Sequence, residues 1–471
     1  MAIIGRKMEI QKLEDYYYSG RPELVIIYGR RRVGKTYLIK EHFQGKFAFY
    51  YTGKIGSSKK DNLADFDRAI TEYGGEDSTS SKNWSDAFYK LRHLLQKSNG
   101  ERKVVFIDEM PWLDTKKSGF LSSFDYFWNS FASSNKDIFF IGCGSATSWI
   151  TKRIFNNRGG LHNRVTGRIY LAPFTIGECE EFFKEYGVEM SRYNLAECYM
   201  IFGGVPYYLS LFNRRLSLDQ NVDMLCFAKN APLKNEFVEL YMSLFNNPNH
   251  HIAIVEALSL KLSGLTRTEI SKTEGIQSNG QLTLVLNELE QNDFIDVYLD
   301  TSKRKNGAYY FLTDPFTLFY IRYMKDSKAK DEHYWAGNID DGSRYAWRGY
   351  AFELLCRLHL SQIKKALGIS GVSTATSSWR SKESKPGAQI DMVIRRKDGI
   401  TNLCEMKYAK QPFVIDKAYS DILMNKKMVF YMETGSRQAV HLTMVTTYGV
   451  AKKSYFGTIQ SEVTLDDLFQ N

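Results

Sequence analysis

The chain has 471 residues, more than a single domain usually holds, and this length predicts two to four domains. Hydrophobic residues make up 43%, charged residues 25% and aromatic residues 14%, which excludes an intrinsically disordered chain. The net charge is +10. No apolar run approaches the roughly 18 residues of a membrane span, so we expect a cytoplasmic protein that is not embedded in a membrane. Its six cysteines are widely spaced and are expected to be buried, reduced thiols.

The first motif lies between a predicted strand, LVIIY, and a predicted helix, TYLIKEHF. It is GRRRVGKT, which fits the spacing G-x-x-x-x-G-K-[ST], and this spacing lets backbone amides and the positive end of the helix surround phosphate groups. Lys35 is expected to contact the β and γ phosphates and Thr36 to bind Mg²⁺. The three arginine side chains are assigned no chemistry of their own. The predicted nucleotide-binding residues of the loop are Gly29, Arg30, Arg31, Arg32, Val33, Gly34, Lys35 and Thr36.

Two further predicted strands supply polar residues at their ends. VVFIDEMPWL ends in Asp108 and Glu109. Asp108 is expected to coordinate Mg²⁺ and Glu109 to orient or deprotonate the attacking water, because phosphoryl transfer depends mostly on positioning and charge neutralisation. The strand in DIFFIGCGSA leads to Ser145, a candidate sensor of the γ-phosphate, for which a plain strand-end turn is the alternative interpretation.

Together these segments resemble the P-loop ATPases of the AAA+/STAND group, in particular the archaeal-type ATPase family. The resemblance rests on IIGRKMEI, GRRRVGKT, VVFIDE, IGCGSATSW, HNRVTGRIYLAPFT and IFGGVPYYL. It implies a parallel five-stranded sheet over residues 1–175 and a helical lid over residues 176–248, with GGVP facing the nucleotide. It also implies an arginine near the γ-phosphate. Arg168 matches that position best, and Arg164, four residues earlier, is the alternative.

Residues 249–325 predict short helices followed by a hairpin, which is the order of a winged helix. The helix that would read DNA, residues 278–293, contains no Lys or Arg and three acidic residues, which argues against phosphate contacts from it. Only the wing is basic, with Lys303, Arg304 and Lys305. A domain that packs against its neighbours and relays the nucleotide state is therefore favoured over a DNA-reading domain.

The basic charge is concentrated in the last quarter of the chain. Residues 344–471 contain 19 Lys and Arg against 11 Asp and Glu, a net charge of +8. This segregation predicts an anionic partner, and nucleic acid, DNA by preference, is the expected one. A solvated lysine surface is the alternative interpretation.

Four residues of this last quarter carry a candidate metal site. The predicted helix WRGYAFELLCRLHLSQIKKAL places Glu353 on an otherwise apolar face, where an unpaired carboxylate is costly. The strand AQIDMVIRR brings Asp391, a KDG turn reverses the chain, and TNLCEMKYA brings Glu405 and Lys407 to one face. The hairpin places Asp391 beside Glu405. This pair predicts a site for Mg²⁺ or Mn²⁺, with Lys407 orienting water or offsetting charge.

This constellation resembles the PD-(D/E)XK nuclease fold. More closely, WRGYAFELLC, QIDMVI and CEMKY resemble a nuclease-like domain of unknown function that follows archaeal-type ATPase modules. The resemblance covers residues 345–471 and implies that Asp391 and Glu405 bind metal, Lys407 is the catalytic lysine and Glu353 is the auxiliary acid. Ile390 stands where the motif's name has proline, and an inactive member of the fold is the alternative.

The sequence therefore predicts an α/β protein with four parts. They are a P-loop ATPase core (1–175), a helical lid (176–248), a winged-helix domain (249–325) and a C-terminal α/β PD-(D/E)XK nuclease-like domain (345–471). The predicted function is an ATP-binding and ATP-hydrolysing switch that controls a metal-dependent, nucleic-acid-binding domain, and the rival is a signalling or scaffold ATPase with a non-catalytic C-terminal domain. The expected cofactors are ATP and Mg²⁺, with Mn²⁺ an alternative at the C-terminal site, and a homo-oligomer is left open.

Overall fold

The computed structural model divides the chain into two compact units, Met1–Pro173 and Phe174–Asn471. All six cysteines are buried and free, as predicted. None of the helices within the described ranges combines the length and apolar character needed to cross a bilayer. The structure describes residues 3–76, 79–156, 161, 163–245, 247–261, 264–273, 276, 280–299, 308–326, 331–339, 341–381, 384 and 386–470.

The first unit is a parallel sheet covered by helices on both faces. Its strands are β1 (Glu23–Tyr28), β2 (Phe49–Thr52), β3 (Lys103–Asp108), β4 (Ile138–Gly144) and β5 (Gly167–Tyr170). Its helices are α1 (Lys7–Tyr17), α2 (Lys35–His42), α3 (Lys59–Glu72), α4 (Trp84–Lys97), α5 (Phe120–Ser130) and α6 (Thr147–Ile150). The strand order is β2-β3-β4-β1-β5 and every neighbouring pair is parallel, which confirms the predicted five-stranded parallel sheet.

The sequence of the central strands explains this sheet. Strands buried on both faces are typically continuous apolar runs, and β1, β3 and β4 are buried along almost their whole length. Ile26 packs into a core on one face with α3, α4 and α5, whereas its neighbours Val25 and Ile27 pack into a second core with α2. The carboxyl ends of parallel strands share one edge of a sheet, so the polar residues that follow these strands are brought to one place.

The second unit contains two sheets and many helices. Its helices are α7 (Ile176–Glu185), α8 (Arg192–Phe202), α9 (Pro206–Ser210), α10 (Leu218–Val222), α11 (Glu236–Leu244), α12 (Asn249–Leu260), α13 (Arg267–Ile270), α14 (Gly280–Gln291), α15 (Pro315–Phe319), α16 (Tyr334–Gly337), α17 (Gly342–Leu358), α18 (Leu360–Ala366), α19 (Lys417–Thr434) and α20 (Leu465–Leu468). Its strands are β6 (Leu265–Thr266), β7 (Ile295–Leu299), β8 (Ala308–Leu312), β9 (Thr374–Arg380), β10 (Gln389–Arg396), β11 (Ile400–Lys407), β12 (Ala439–Thr446) and β13 (Ser461–Thr464).

The smaller sheet lies in the segment for which the sequence predicts helices and a hairpin. Its order is β6-β8-β7, and β7 and β8 form the antiparallel hairpin. Helix α14 lies within the predicted DNA-reading segment, and its Glu288 carboxylate is hydrogen-bonded to the ring of His251 at 3.0 Å. The predicted basic wing residues Lys303, Arg304 and Lys305 lie outside the described residues.

The larger sheet carries the predicted hairpin. Its order is β13-β12-β11-β10-β9, with antiparallel pairing of β9, β10 and β11 and parallel pairing of β11, β12 and β13. The β10–β11 register pairs Met392 with Cys404, and its continuation by one residue sets Asp391 opposite Glu405. A bulge interrupts the β9–β10 pairing between Ile390 and Val393. Bulges redirect side chains, and this one includes Asp391, so it affects the direction in which the Asp391 carboxylate points.

The GGVP segment that follows α8 requires glycine for two separate reasons. Gly203 has φ 63° and ψ −166°, a region that is open essentially to glycine alone. A Cβ on Gly204 would lie 1.8 Å from the carbonyl oxygen of Phe174, whose amide donates to the Gly204 carbonyl at 2.6 Å. This segment therefore fixes the start of the second unit against the end of α8.

Gly204→Ala is expected to destabilise the second unit by about 1–3 kcal/mol, because the methyl group must displace backbone rather than a flexible side chain. The measurement is the melting temperature of that unit by calorimetry. The matched control is Gly349→Ala within α17, where a Cβ meets nothing within 4 Å and alanine favours the helix. Equal melting temperatures for the two variants would contradict this account of the GGVP segment.

Candidate functional site

The loop between β1 and α2 has the backbone geometry of an anion cradle. Gly29 has φ 144°, and a Cβ there would lie 2.3 Å from the carbonyl oxygen of Leu171, so no other residue fits. Gly34, with φ 89°, precedes α2, and within the described part of the chain no side chain caps that helix. The first amides of a helix lack partners inside the helix and attract anions. The loop therefore presents the start of α2 to a negatively charged ligand.

Lys35 lies across this loop. Its side chain is buried, and its ammonium group donates to the carbonyl oxygens of Gly29 at 2.9 Å and Arg30 at 2.8 Å. Burial lowers the pKa of Lys35, while the nearby acidic residues Glu109 and Asp108 act in the opposite direction. The ammonium group is thus held at the loop by two neutral carbonyl oxygens. A phosphate oxygen could take their place and would form a stronger bond, because it is charged.

The next two predicted residues meet directly. The Thr36 hydroxyl donates to Oδ2 of Asp108 at 2.6 Å, and the Glu109 amide donates to Oδ1 of Asp108 at 2.9 Å. Asp108 is the last residue of β3, and Thr36 is in the first turn of α2, so strand order and motif spacing explain the contact. A hydroxyl and a carboxylate oxygen in contact form the kind of hard ligand pair that Mg²⁺ prefers.

Glu109 is held in place by Ser145. Both the amide and the hydroxyl of Ser145 donate to Oε2 of Glu109, at 3.2 and 3.0 Å. Glu109 itself has φ 49°, an uncommon backbone conformation for a residue with a side chain. Burial raises the pKa of Glu109, and the charge of Lys35 and the bonds from Ser145 lower it in part. The structure therefore brings Lys35, Thr36, Asp108, Glu109 and Ser145 together at one edge of the sheet.

The two candidate arginines are not part of this cluster. Arg168 is exposed in the edge strand β5, where it pairs with Ile26, and its guanidinium lies 4.2 Å from the centre of the Phe155 ring. Arg164 is also exposed. The choice between them stays a prediction.

The second predicted site brings three carboxylates together in the second unit. Asp391 and Glu405 are buried on adjacent strands, and Glu353 faces them from α17. Oδ2 of Asp391 accepts from the Met406 amide at 2.9 Å. Burial raises the pKa of Glu353 to about 8 and that of Glu405 to about 7, and in both the charge of Asp391 is the second cause. Burial beside a like charge raises a carboxyl pKa in this way, and such shifts are common at functional sites.

Sequence reasoning missed several partners of this cluster. Lys426 of α19 donates to Oε2 of Glu405 at 2.6 Å, and Arg357 of α17 donates to the Asp391 carbonyl at 3.1 Å. The ammonium group of Lys407 lies 5.6 Å from the centre of the Tyr419 ring. One signal could have revealed Lys426, because it lies three residues after Leu423, which is buried, and so on the inward face of α19.

The carboxylates fit a hydrated divalent cation better than a fully enclosed one. Oε1 of Glu405 is buried and, among the described residues, has no hydrogen-bond partner, so one ligand atom is available. Within the described ranges no group of three His, Cys, Asp or Glu side chains is arranged to hold a metal ion. Mg²⁺ commonly binds through one or two carboxylates and keeps several waters. Asp391 and Glu405 fit that mode.

Comparison with known proteins supports the first site. Residues 3–212 match the family described as an ATPase domain predominantly from Archaea. An uncharacterized protein of Methanocaldococcus jannaschii is 25% identical over 437 residues, covering 90% of this chain and 92% of that protein. An uncharacterized ATP-binding protein of the same organism is 46% identical over 43 residues, which cover 9% of this chain and 73% of that protein.

The solved structures that match this chain are distant from it in sequence. A Walker-type ATPase of Pyrococcus abyssi has a TM-score of 0.49 at 18% identity, covering 68% of this chain and 96% of that one. The ORC2 protein of Aeropyrum pernix, solved as ADPNP and ADP complexes, has a TM-score of 0.41 at 14% identity, covering 67% of this chain and 92% of that one.

Lys35→Ala is expected to abolish tight ATP binding, whereas Glu109→Gln keeps it and stops hydrolysis. The reason is that Lys35 lies on the anion cradle, while Glu109 lies beside it and is held by Ser145. Calorimetric titration with ATP and a phosphate-release assay measure the two effects. Equal ATP affinity in the wild type and Lys35→Ala would contradict the assignment.

The carboxylate cluster predicts a pH-dependent stability in the absence of divalent metal. The folded pKa values of Glu353 and Glu405 are raised above their usual range, so the folded chain takes up protons and is stabilised at low pH. The melting temperature is expected to fall from about pH 4.5, the ordinary range of a Glu pKa, to about pH 8.

The variant Glu353→Gln is the control for this pH dependence. Its melting temperature should fall less steeply than that of the wild type over the same pH range, because it lacks one of the two titrating carboxylates. The quantity compared is the difference between the two curves, in which the other titrating groups cancel. Parallel curves would show that Glu353 does not titrate in this range.

Proposed function

We propose that this chain, whose residues 3–212 carry an ATPase domain of the archaeal type, is a switch in which ATP controls a metal-dependent, nuclease-like domain that binds nucleic acid. One observation carries the second half of the proposal: Asp391 and Glu405 are buried on adjacent strands, and the half-buried Glu353 and Lys407 lie near enough for their charges to act on this pair. Burying like charges close together is costly. Such groups are commonly found at sites that use them for chemistry.

In the ATPase half, each residue of the β1–α2 edge has a role that its contacts support. Lys35 would exchange its carbonyl acceptors for the β and γ phosphates, and Thr36 and Asp108 would hold Mg²⁺, which neutralises phosphate charge. Glu109 would orient the attacking water and accept its proton. The Ser145 amide would keep the direction of that carboxylate, while the Ser145 hydroxyl would exchange its bond to Glu109 for one to the γ-phosphate.

An arginine and a helical lid would complete the proposed ATP site. Arg168 would approach the γ-phosphate, with Arg164 as the alternative, and neither makes a described contact with Lys35 or Glu109. The helices that follow residue 175 would act as the lid, with Gly203 and Gly204 near its nucleotide-facing side. A ligand shifts such an equilibrium only through different contacts with its two states, and an arginine that reaches the phosphate in one state alone provides that difference.

In the nuclease-like half, Asp391 and Glu405 would hold Mg²⁺ or Mn²⁺ through Oε1 of Glu405 and the second oxygen of Asp391. The bound metal would supply an activated water and offset charge on a phosphodiester. Lys407, on the same face of β11 as Glu405, would orient that water or stabilise charge on the phosphate. Glu353, which stays protonated above the usual range of Glu, can donate a hydrogen bond from α17.

The middle segment would serve as a winged-helix relay rather than a reader of DNA. Its helix α14 bears no cation that could contact phosphate, and Glu288 is engaged with His251. The order of α12, β6, α13, α14 and the β7–β8 hairpin supports the winged-helix interpretation.

A signalling or scaffold ATPase is the second candidate, and a specific contact favours it. Lys426 forms an ion pair with Glu405 at 2.6 Å, so a cation from the chain itself already neutralises part of the cluster. A domain that binds nucleic acid or protein without cutting would need no metal there.

Asp391→Asn is expected to reduce cleavage of nucleic acid by at least about 100-fold, because it removes a charged metal ligand while keeping an acceptor for the Met406 amide. The assay uses the full-length protein with DNA and RNA substrates, Mn²⁺ or Mg²⁺, and measurements with and without ATP. The matched control is Asp398→Asn, an aspartate of the KDG turn that bonds Arg396 outside the cluster.

Each result of this assay decides between the two candidates. Cleavage that is lost in Asp391→Asn, retained in Asp398→Asn and altered by ATP supports the switch. Binding without cleavage by the wild type, with the same affinity in Asp391→Asn, supports the scaffold instead. In that case Mn²⁺ should also fail to raise the melting temperature of the wild type, since no metal site stabilises the folded state.

A further inference from the structure

The boundary between the two compact units lies inside the ATPase segment. The family match extends to residue 212, whereas the first unit ends at Pro173. Helices α7 and α8 therefore belong to the ATPase segment by sequence and to the second unit by packing. Three contacts join this α7–α8 pair to the elements that carry the carboxylate cluster.

The first contact is a buried ion pair between α8 and α17. Oε1 of Glu197 accepts from Arg344 at 2.8 Å and from Arg348 at 2.9 Å, and Oε2 accepts from Arg348 at 3.0 Å. The side chains of Glu197, Arg344 and Arg348 are 3%, 2% and 7% exposed. Arg344 also bonds Asp219 and lies 4.0 Å from the centre of the Trp335 ring. One carboxylate of α8 thus holds two guanidinium groups of α17.

The second contact is between α8 and the residue that follows Lys407. The hydroxyl of Tyr408 donates to the Tyr193 carbonyl at 2.9 Å, and the two rings stack with centroids 4.6 Å apart. Tyr408 comes directly after β11, the strand that carries Glu405 and Lys407. The position of α8 is therefore tied to the end of the strand that carries the cluster.

The third contact joins the start of α7 to the end of α17. The Ile176 amide donates to Nε2 of His359 at 2.9 Å, and Nδ1 of His359 donates to the Leu355 carbonyl at 2.8 Å. His359 is 1% exposed. With one ring nitrogen accepting and the other donating, the neutral ring has a single tautomer and a fixed orientation.

We propose that Glu197 and Tyr408 are positioning residues that transmit a change in α8 to the carboxylate cluster. Arg348 and Glu353 are five residues apart on one helix, about 7.5 Å along its axis, so α17 cannot shift at Arg348 without moving Glu353. Tyr408 transmits the same displacement to the end of β11. The coupling does not depend on cleavage, and only its use in regulating a nuclease-like site rests on the proposed function.

The test is hydrogen–deuterium exchange on the full-length Glu109→Gln protein, which is expected to hold ATP without hydrolysing it. Addition of ATP is expected to change the exchange of α8 and, at the same ATP concentration, that of α17 and β11, by roughly fivefold or more. In Glu197→Gln the response of α8 should remain while that of α17 is lost. Tyr408→Phe removes one hydrogen bond and keeps the ring, so it should weaken the response of β11 even if Glu197→Gln folds poorly.

The matched control is Glu236→Gln, a buried carboxylate of α11 in the same unit that accepts from Tyr208 at 2.8 Å. It should leave the ATP response of α17 unchanged. A response of α8 without one of α17 in the Glu109→Gln protein would overturn the inference, as would an unchanged α17 response in Glu197→Gln or no response of α8 at all. A chain that shows the coupling but neither binds nor cuts nucleic acid would contradict the proposed function and leave this inference standing.

Discussion

The organisation of the second unit depends on one buried carboxylate that serves two guanidinium groups. Glu197 lies between Arg344 and Arg348, and removing one partner from a buried ion pair typically costs about 3–5 kcal/mol, against about 5–15 kcal/mol for the stability of a whole domain. Because α17 starts the C-terminal segment and α8 lies in the ATPase segment, neither segment can satisfy these charges alone. A fragment that begins at residue 345 would lack Glu197, the acceptor of Arg348, and would expose the surface that α8 covers. The predicted domain boundary at that position therefore separates groups that the structure joins.

In the carboxylate cluster the charges repel one another, whereas those of Glu197 and its two arginines attract. The protein offsets part of that repulsion with Lys426 and with the Met406 amide, and it leaves Oε1 of Glu405 without a partner among the described residues. The bulge between Ile390 and Val393 lies at the same position. Bulges and buried polar atoms without partners are costly features that concentrate at functional sites.

Features of the fold and of the candidate site could be predicted where they depend on neighbouring residues in the sequence. Contacts between residues far apart in the chain could not. The parallel sheet and the loop from Gly29 to Thr36 follow from contiguous patterns, and the pairing of Asp391 with Glu405 follows from a short turn between two strands. The spacing from Leu423 could place Lys426 on the inward face of α19, but its bond to Glu405, 21 residues away, depends on how that helix packs on the sheet. Glu197 gave the same signal as Glu353, a carboxylate within an apolar helix, but its two partners lie about 150 residues away. Arg168 lies in the edge strand β5, and the sequence around it contains no signal that shows which way its side chain points.

Helix α17 is where the two constraints meet. Its first half carries Arg344 and Arg348, which are held by α8, and its second half carries Glu353, which faces Asp391 and Glu405. A helix of 17 residues is about 25 Å long and its backbone hydrogen bonds make it stiff, so the two halves move together. If the cluster served only to fill a core, well-packed apolar side chains would often be as stable as the buried charges or more so. Ionisable groups in both halves of one stiff helix, held by α8 in the first half and facing the cluster in the second, are the arrangement that the proposed coupling requires.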